Sequence, residues 1–125
     1  MNPQQEYPFE KLRVWQAARA LAKQVYLATA KFPHNELYGL TSQSNRAAVS
    51  VAANLAEGTS RQSRKDQARF SEIAYASLTE LACLLILAKD VGLLSDNLEA
   101  DLRGTIEQVS AQLNALYRSQ RARSD

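Results

Sequence analysis

The chain has 125 residues, a hydrophobic share of 46% and a formal net charge of +2. That length suits one domain, the apolar content excludes a disordered chain, and so small a net charge excludes reading a partner from total charge alone. Four glycines and three prolines favour helices over a turn-rich β fold.

In chain order, the first periodic segment covers residues 9–31. Leu12, Trp15, Ala18, Ala22, Val25 and Thr29 recur at steps of three and four, which is one face of a helix. Phe32-Pro33 ends it, because the residue before proline avoids the α region. The polar stretch His34 to Gly39 is a loop. A second helix is predicted over residues 41–57, with Thr41 or a neighbour as N-cap and Gly58 at C′, where a left-handed conformation is cheap. One stripe of it reads Gln43, Ala47, Ser50, Asn54, Glu57, Arg61 and is mostly polar. The neighbouring stripe, Ala48, Val51, Ala52 and Leu55, is small and apolar.

Ser63 and Asp66 predict the start of a third helix over residues 64–91, a side-chain cap followed by a carboxylate at the positive helix end. Phe70, Ile73, Ala74, Ser77, Leu81, Leu84 and Ala88 are its predicted inner face, and Gly92 ends it. Ser95 caps a fourth helix over residues 96–118, whose apolar row is Leu98, Leu102, Ile106, Val109, Leu113 and Leu116. The polar residues from Ser119 are expected to fray. Short connections between long helices imply an all-α, up-down-up-down antiparallel four-helix bundle in a single domain, residues 1–125.

Cys83 lies in an apolar run and reads as a small buried hydrophobe in a reducing compartment. The start of the chain is polar, without the apolar core of a signal peptide. Lys89 and Asp90 cut the longest apolar stretch short of a membrane span. The expected setting is the cytoplasm, with no membrane partner.

Catalytic and metal chemistry find little footing. A di-metal bundle needs a Glu-x-x-His pair from each of two helices, and the one histidine, His34, is in a loop. Cys83 has no histidine in its segment, and apolar surroundings suppress its thiolate. No phosphate-binding glycine loop or dinucleotide fingerprint occurs. No enzyme activity, cofactor or metal site is expected.

Two constellations remain. Arg61, Arg64, Lys65 and Arg69 fall within nine residues, a candidate phosphate-contacting cluster that also reads as an ordinary solvated face. Arg118, Arg121 and Arg123 crowd the C-terminus. Asn54 and Glu57, three apart on the second helix, can meet Ser77 and Glu80, three apart on the third, in a polar seam between helices or subunits. The other reading of that stripe is a solvated outer face.

The string Phe9-Glu10-Lys11-Leu12-Arg13-Val14-Trp15-Gln16-Ala17-Ala18, then Phe32-Pro33 and Glu36 to Gln43, then Arg46 to Gly58, ending Asn54-Leu55-Ala56-Glu57-Gly58, resembles a bacterial family of four-helix bundles. So do Phe70, Ala76 to Leu81 and Leu87 to Leu94. The founders of that family are encoded by intervening sequences inside 23S ribosomal RNA genes. The resemblance covers residues 9–116. It implies a cytoplasmic bundle without established enzymatic activity, assembled in rings of five. A related branch, the accessory proteins of diversity-generating retroelements, acts with a reverse transcriptase and nucleic acid through a basic outer surface. The resemblance thus implies a homopentamer with RNA or DNA as partner, Arg46 as a further contact, and a seam shared by Arg46, Asn54, Glu57, Ser77 and Glu80. One departure stands out: family members usually carry two adjacent basic residues where this chain has Asn45-Arg46. A protein-binding scaffold, offering Tyr38, Tyr75, Tyr117 or the acidic segment Asp96 to Glu107, is the alternative.

Overall fold

The computed structural model describes residues 5–122. Four helices form it: α1 (Arg13–Thr29), α2 (Ser42–Thr59), α3 (Arg64–Asp90) and α4 (Asp96–Ala122). Each packs on two neighbours, α1 on α2, α2 on α3, α3 on α4 and α4 back on α1. With short connections this is the up-down-up-down bundle.

All four helices feed one apolar cluster. Val14, Ala18, Leu21 and Val25 come from α1, Ala47, Ala48, Val51 and Leu55 from α2. Ala74, Leu78, Leu81, Leu85 and Ala88 come from α3, Leu102, Val109 and Leu113 from α4. The alanines bring α2 close to its neighbours, and the leucines of α3 fill the middle.

Several local expectations need correction. The segment 9–31 is not one helix. A short 3₁₀ turn, Pro8–Lys11, comes first, then Leu12 is extended before α1 begins. Proline starts that turn, and the Glu10 carboxylate accepts the Tyr7 N–H at 2.7 Å, closing it locally. Thr41 makes no capping hydrogen bond, because it is already helical. It closes a wide turn, Leu37–Thr41, kinked at Gly39. Gly58 sits inside α2, buried, and not in the left-handed region. That role falls to Gly92 alone among the described residues, with φ 84°.

The inner face of α3 is partly rotated from the predicted one. Ala74, Leu81, Leu84 and Ala88 are buried as predicted and are joined by Ser71, Leu78 and Leu85, whereas Ile73 is exposed and Phe70 and Ser77 are half-buried. Cys83 is exposed, because that rotation turns it outward with Ile73, Ala76 and Leu87. Leu98 is likewise exposed. The predicted fraying from Ser119 is not seen through Ala122. Gln120 is buried and accepts the Ser71 hydroxyl at 2.7 Å, which ties the last turns of α4 to α3. By length and composition α3 is apolar enough to cross a membrane, with 33% of its most apolar window buried. The charges at its end do not cut it short by that measure. The caps on α3 and α4 match the sequence reading: Ser63 Oγ accepts the Asp66 N–H and Ser95 Oγ the Leu98 N–H, both at 3.1 Å.

Candidate nucleic-acid interface

The α2–α3 turn and the first turns of α3 carry Arg61, Arg64, Lys65 and Arg69. Arg61, Lys65 and Arg69 are exposed and Arg64 is half-buried. The Arg61 guanidinium lies 4.7 Å from the centre of the Phe70 ring, a cation–π contact that holds it in place. Phe70 in turn packs against Gly58. The turn is braced from the other side, where the Gln67 side-chain amide donates to the Arg61 carbonyl at 2.8 Å.

Antiparallel packing adds a feature that the linear sequence keeps apart. The end of α4 lies beside the start of α3, joined by Ser71 to Gln120 and by the Tyr117 hydroxyl, which donates to Glu72 Oε1 at 3.1 Å. Arg118 and Arg121, both exposed, therefore sit at the same end as the Arg61–Arg69 cluster. Lys11, at the end of the 3₁₀ turn, and Arg13, at the start of α1, are there too, since Leu12 between them shares a cleft with Gln120. The acidic residues Asp96, Asp101 and Glu107 lie toward or along the other half of α4. Asp66 and Glu72 share the basic end, and Lys89 and Arg103 the other, so the bundle is partly charge-polarised along its axis. Arg123 lies outside the described residues.

Arg46 does not join the basic end. It stands roughly 20 Å away along α2, at 1.5 Å per residue, and ion-pairs with Glu80 at 2.5 Å. The pair is exposed, with 60% and 40% of the two side chains open to solvent. One turn on, the Ser50 and Ser77 hydroxyls meet at 2.8 Å. Asn54 Nδ2 donates to the Ser50 carbonyl at 2.9 Å and to Ser50 Oγ at 3.1 Å. So Arg46, Ser50 and Asn54 on α2 and Ser77 and Glu80 on α3 lie in one polar seam. Asn54 bonds its own helix rather than Ser77 or Glu80, and Glu57 is exposed and takes no part. Ser50 was the member that residue type had hidden, although its place in the polar stripe marked it.

Asn45, the departure from the paired basic residues, faces α1: the Thr29 hydroxyl donates to Asn45 Oδ1 at 2.9 Å. A different ion pair stabilises the distant half of α4. Arg103 donates twice to Glu99 Oε1, at 3.0 and 2.5 Å. Those hydrogen bonds hold the Glu99 carboxyl below the usual carboxylate range, against the opposing effect of burial.

Among the described residues no group of three His, Cys, Asp or Glu side chains is placed to hold a metal ion. Compared with known families, residues 10–115 match the model described as "23S rRNA-intervening sequence protein". No curated protein matches the chain.

Proposed function

The chain belongs to the 23S rRNA-intervening sequence protein family, and from that premise we propose that it is a non-catalytic, self-assembling cytoplasmic protein that binds RNA or DNA through its basic end. The observation that carries this reading is the axial polarisation of charge. Arg61, Arg64, Lys65 and Arg69 are joined at one end by Arg118 and Arg121. The positive end of the α3 dipole lies there too. Phosphate contacts from such a patch give affinity without sequence preference and weaken with salt. Arg46, already paired with Glu80, contributes less.

Self-assembly, with five copies as the expected number, is supported by the outer face of α3. Ile73, Ala76, Cys83 and Leu87 are exposed at steps of three, seven and four, with Glu80 between them and Ala53 exposed on α2. Small and apolar residues around one ion pair suit close helix packing. Arg46 and Glu80 place both charges on that face, so a second copy offers the complement of each. Repetition of the basic end around a ring multiplies weak phosphate contacts. The scaffold alternative draws on Tyr38, 92% exposed in the α1–α2 connection.

The test is an anisotropy titration against a labelled, structured RNA at low and at physiological salt, with native mass spectrometry alongside. Binding that weakens steeply with salt and is lost when Arg61, Arg64, Lys65 and Arg69 become Ala is expected. Absence of binding at low salt would overturn the nucleic-acid reading and leave the scaffold reading ahead.

A further inference from the structure

Beside the basic cluster, a cleft of about 230 Å³ opens between the end of α2, the start of α3 and the end of α4. Its walls combine apolar side chains, Leu55 and Leu116 among them, with Arg64 and three amides, Asn54, Gln67 and Gln120. The volume is below that of drug-sized ligand pockets, ~300 Å³ and upward, and suits one planar heterocycle.

Each amide spends one end inside the protein. Asn54 uses its N–H₂ on Ser50, and Gln67 uses its N–H₂ on the Arg61 carbonyl. A backbone carbonyl only accepts, so both orientations are fixed. Gln120, 8% exposed, uses its oxygen on the Ser71 hydroxyl. The other ends are not used in these bonds. They are two acceptors, Asn54 Oδ1 and Gln67 Oε1, and one donor, Gln120 Nε2. These half-used amides line the cleft, where a ligand carrying the opposite set can meet them in place of solvent.

We infer that this cleft binds a single unpaired nucleobase, guanine in preference to the others, while Arg64 and the N-terminus of α3 hold the adjoining phosphate. The inference rests on the nucleic-acid reading above and gives it a base preference. Guanine presents two donors, N1–H and N2–H₂, next to one acceptor, O6. That is the complement of two protein acceptors and one donor. Cytosine and uracil present one donor with two acceptors, and adenine one donor with one acceptor on the same edge, so each leaves a protein group unpaired. Amide side chains and arginine are the groups that read splayed bases of single-stranded RNA.

The experiment compares a short uridine-only RNA with the same RNA carrying one central guanosine or one central adenosine, by anisotropy at fixed salt. The guanosine RNA is expected to bind about fivefold tighter or more, the discrimination typical of a good base contact. Gln67→Ala should remove the preference, and because its amide braces the Arg61 turn it should weaken uridine-only binding as well. Leu116→Phe, which fills the cleft without touching an amide, should remove the preference while leaving uridine-only binding intact, and guards against misfolding of the first variant. Equal binding of all three RNAs by the natural chain would overturn this inference alone. Absence of binding by any RNA at low salt would overturn the nucleic-acid reading, and this inference with it.

Discussion

A Cβ placed on Gly58 would stand 3.1 Å from Phe70 Cβ, so α2 and α3 approach as closely as they do because residue 58 has no side chain. Gly104, inside α4, has nothing within 4 Å of the same imaginary atom. The same substitution should therefore act with opposite sign. Gly104→Ala should stabilise by about 0.5–1 kcal/mol through helix propensity. Gly58→Ala gains that propensity but forces the Phe70 backbone aside, at about 1–3 kcal/mol of overpacking. Thermal melts should show Gly104→Ala above the parent and Gly58→Ala below it. Two shifts of the same sign would contradict the packing role of Gly58.

Within the seam the two candidate residues separate. Asn54 makes two hydrogen bonds, and its replacement by Ala should cost about 1 kcal/mol. Exposed Glu57 should change stability by less than about 0.5 kcal/mol on replacement by Ala. Denaturant titrations of both variants check this, and a larger loss for Glu57→Ala would place its carboxylate in a contact between subunits.

Acid should erase one contribution of α4. The Glu99 carboxyl titrates below its ordinary range when folded, chiefly through the Arg103 hydrogen bonds. The unfolded chain therefore binds its proton first as pH falls. The stabilisation is present above the ordinary carboxylate value, about 4.3, and is lost as pH drops through the folded value. Glu99→Gln should melt lower than the parent at neutral pH, and the two should converge as pH falls through the lowered folded value. A gap that persists unchanged in acid would refute this.

Cys83 reports on assembly. It is exposed on the outer face of α3, so a thiol reagent should reach it in the single chain. If copies meet through that face, labelling should be slow at high protein concentration and quicken on dilution. Rates independent of concentration would move the contact elsewhere.

The Ser44 hydroxyl is buried without a partner. Ser44→Ala removes an unsatisfied group and should stabilise by about 1 kcal/mol, read as a higher melting temperature. A loss of stability would reveal a bond that this oxygen makes.

The helices were legible because apolar residues recur at helical spacing and Ser63, Gly92 and Ser95 punctuate them. Periodicity was weaker where nearly every position is apolar. Along α3 several rows fit equally well, and this is why Ile73 and Cys83 look inward-facing in the sequence. Gly58 reads as a terminator from sequence because a glycine after a helix pattern has that meaning more often than close packing. The basic cluster was visible in the chain. Its union with Arg118 and Arg121 was not, since it depends on which helix ends the bundle brings together. The three half-used amides were equally hidden, because they come from α2, α3 and α4.

The turn at Gly92 joins two helices of 27 residues each, and pairing between them is local in sequence near that turn. At the opposite end Ser71 and Gln120 are 49 positions apart, and closing that contact costs more chain entropy. The α3–α4 hairpin is expected to zip from Gly92 outward, with the Gln120 clasp formed last and released first. Amide hydrogen exchange should then be fastest at the basic end. A base entering there would meet walls that can part without unfolding the core, and its binding would show as slowed exchange in the final turns of α4.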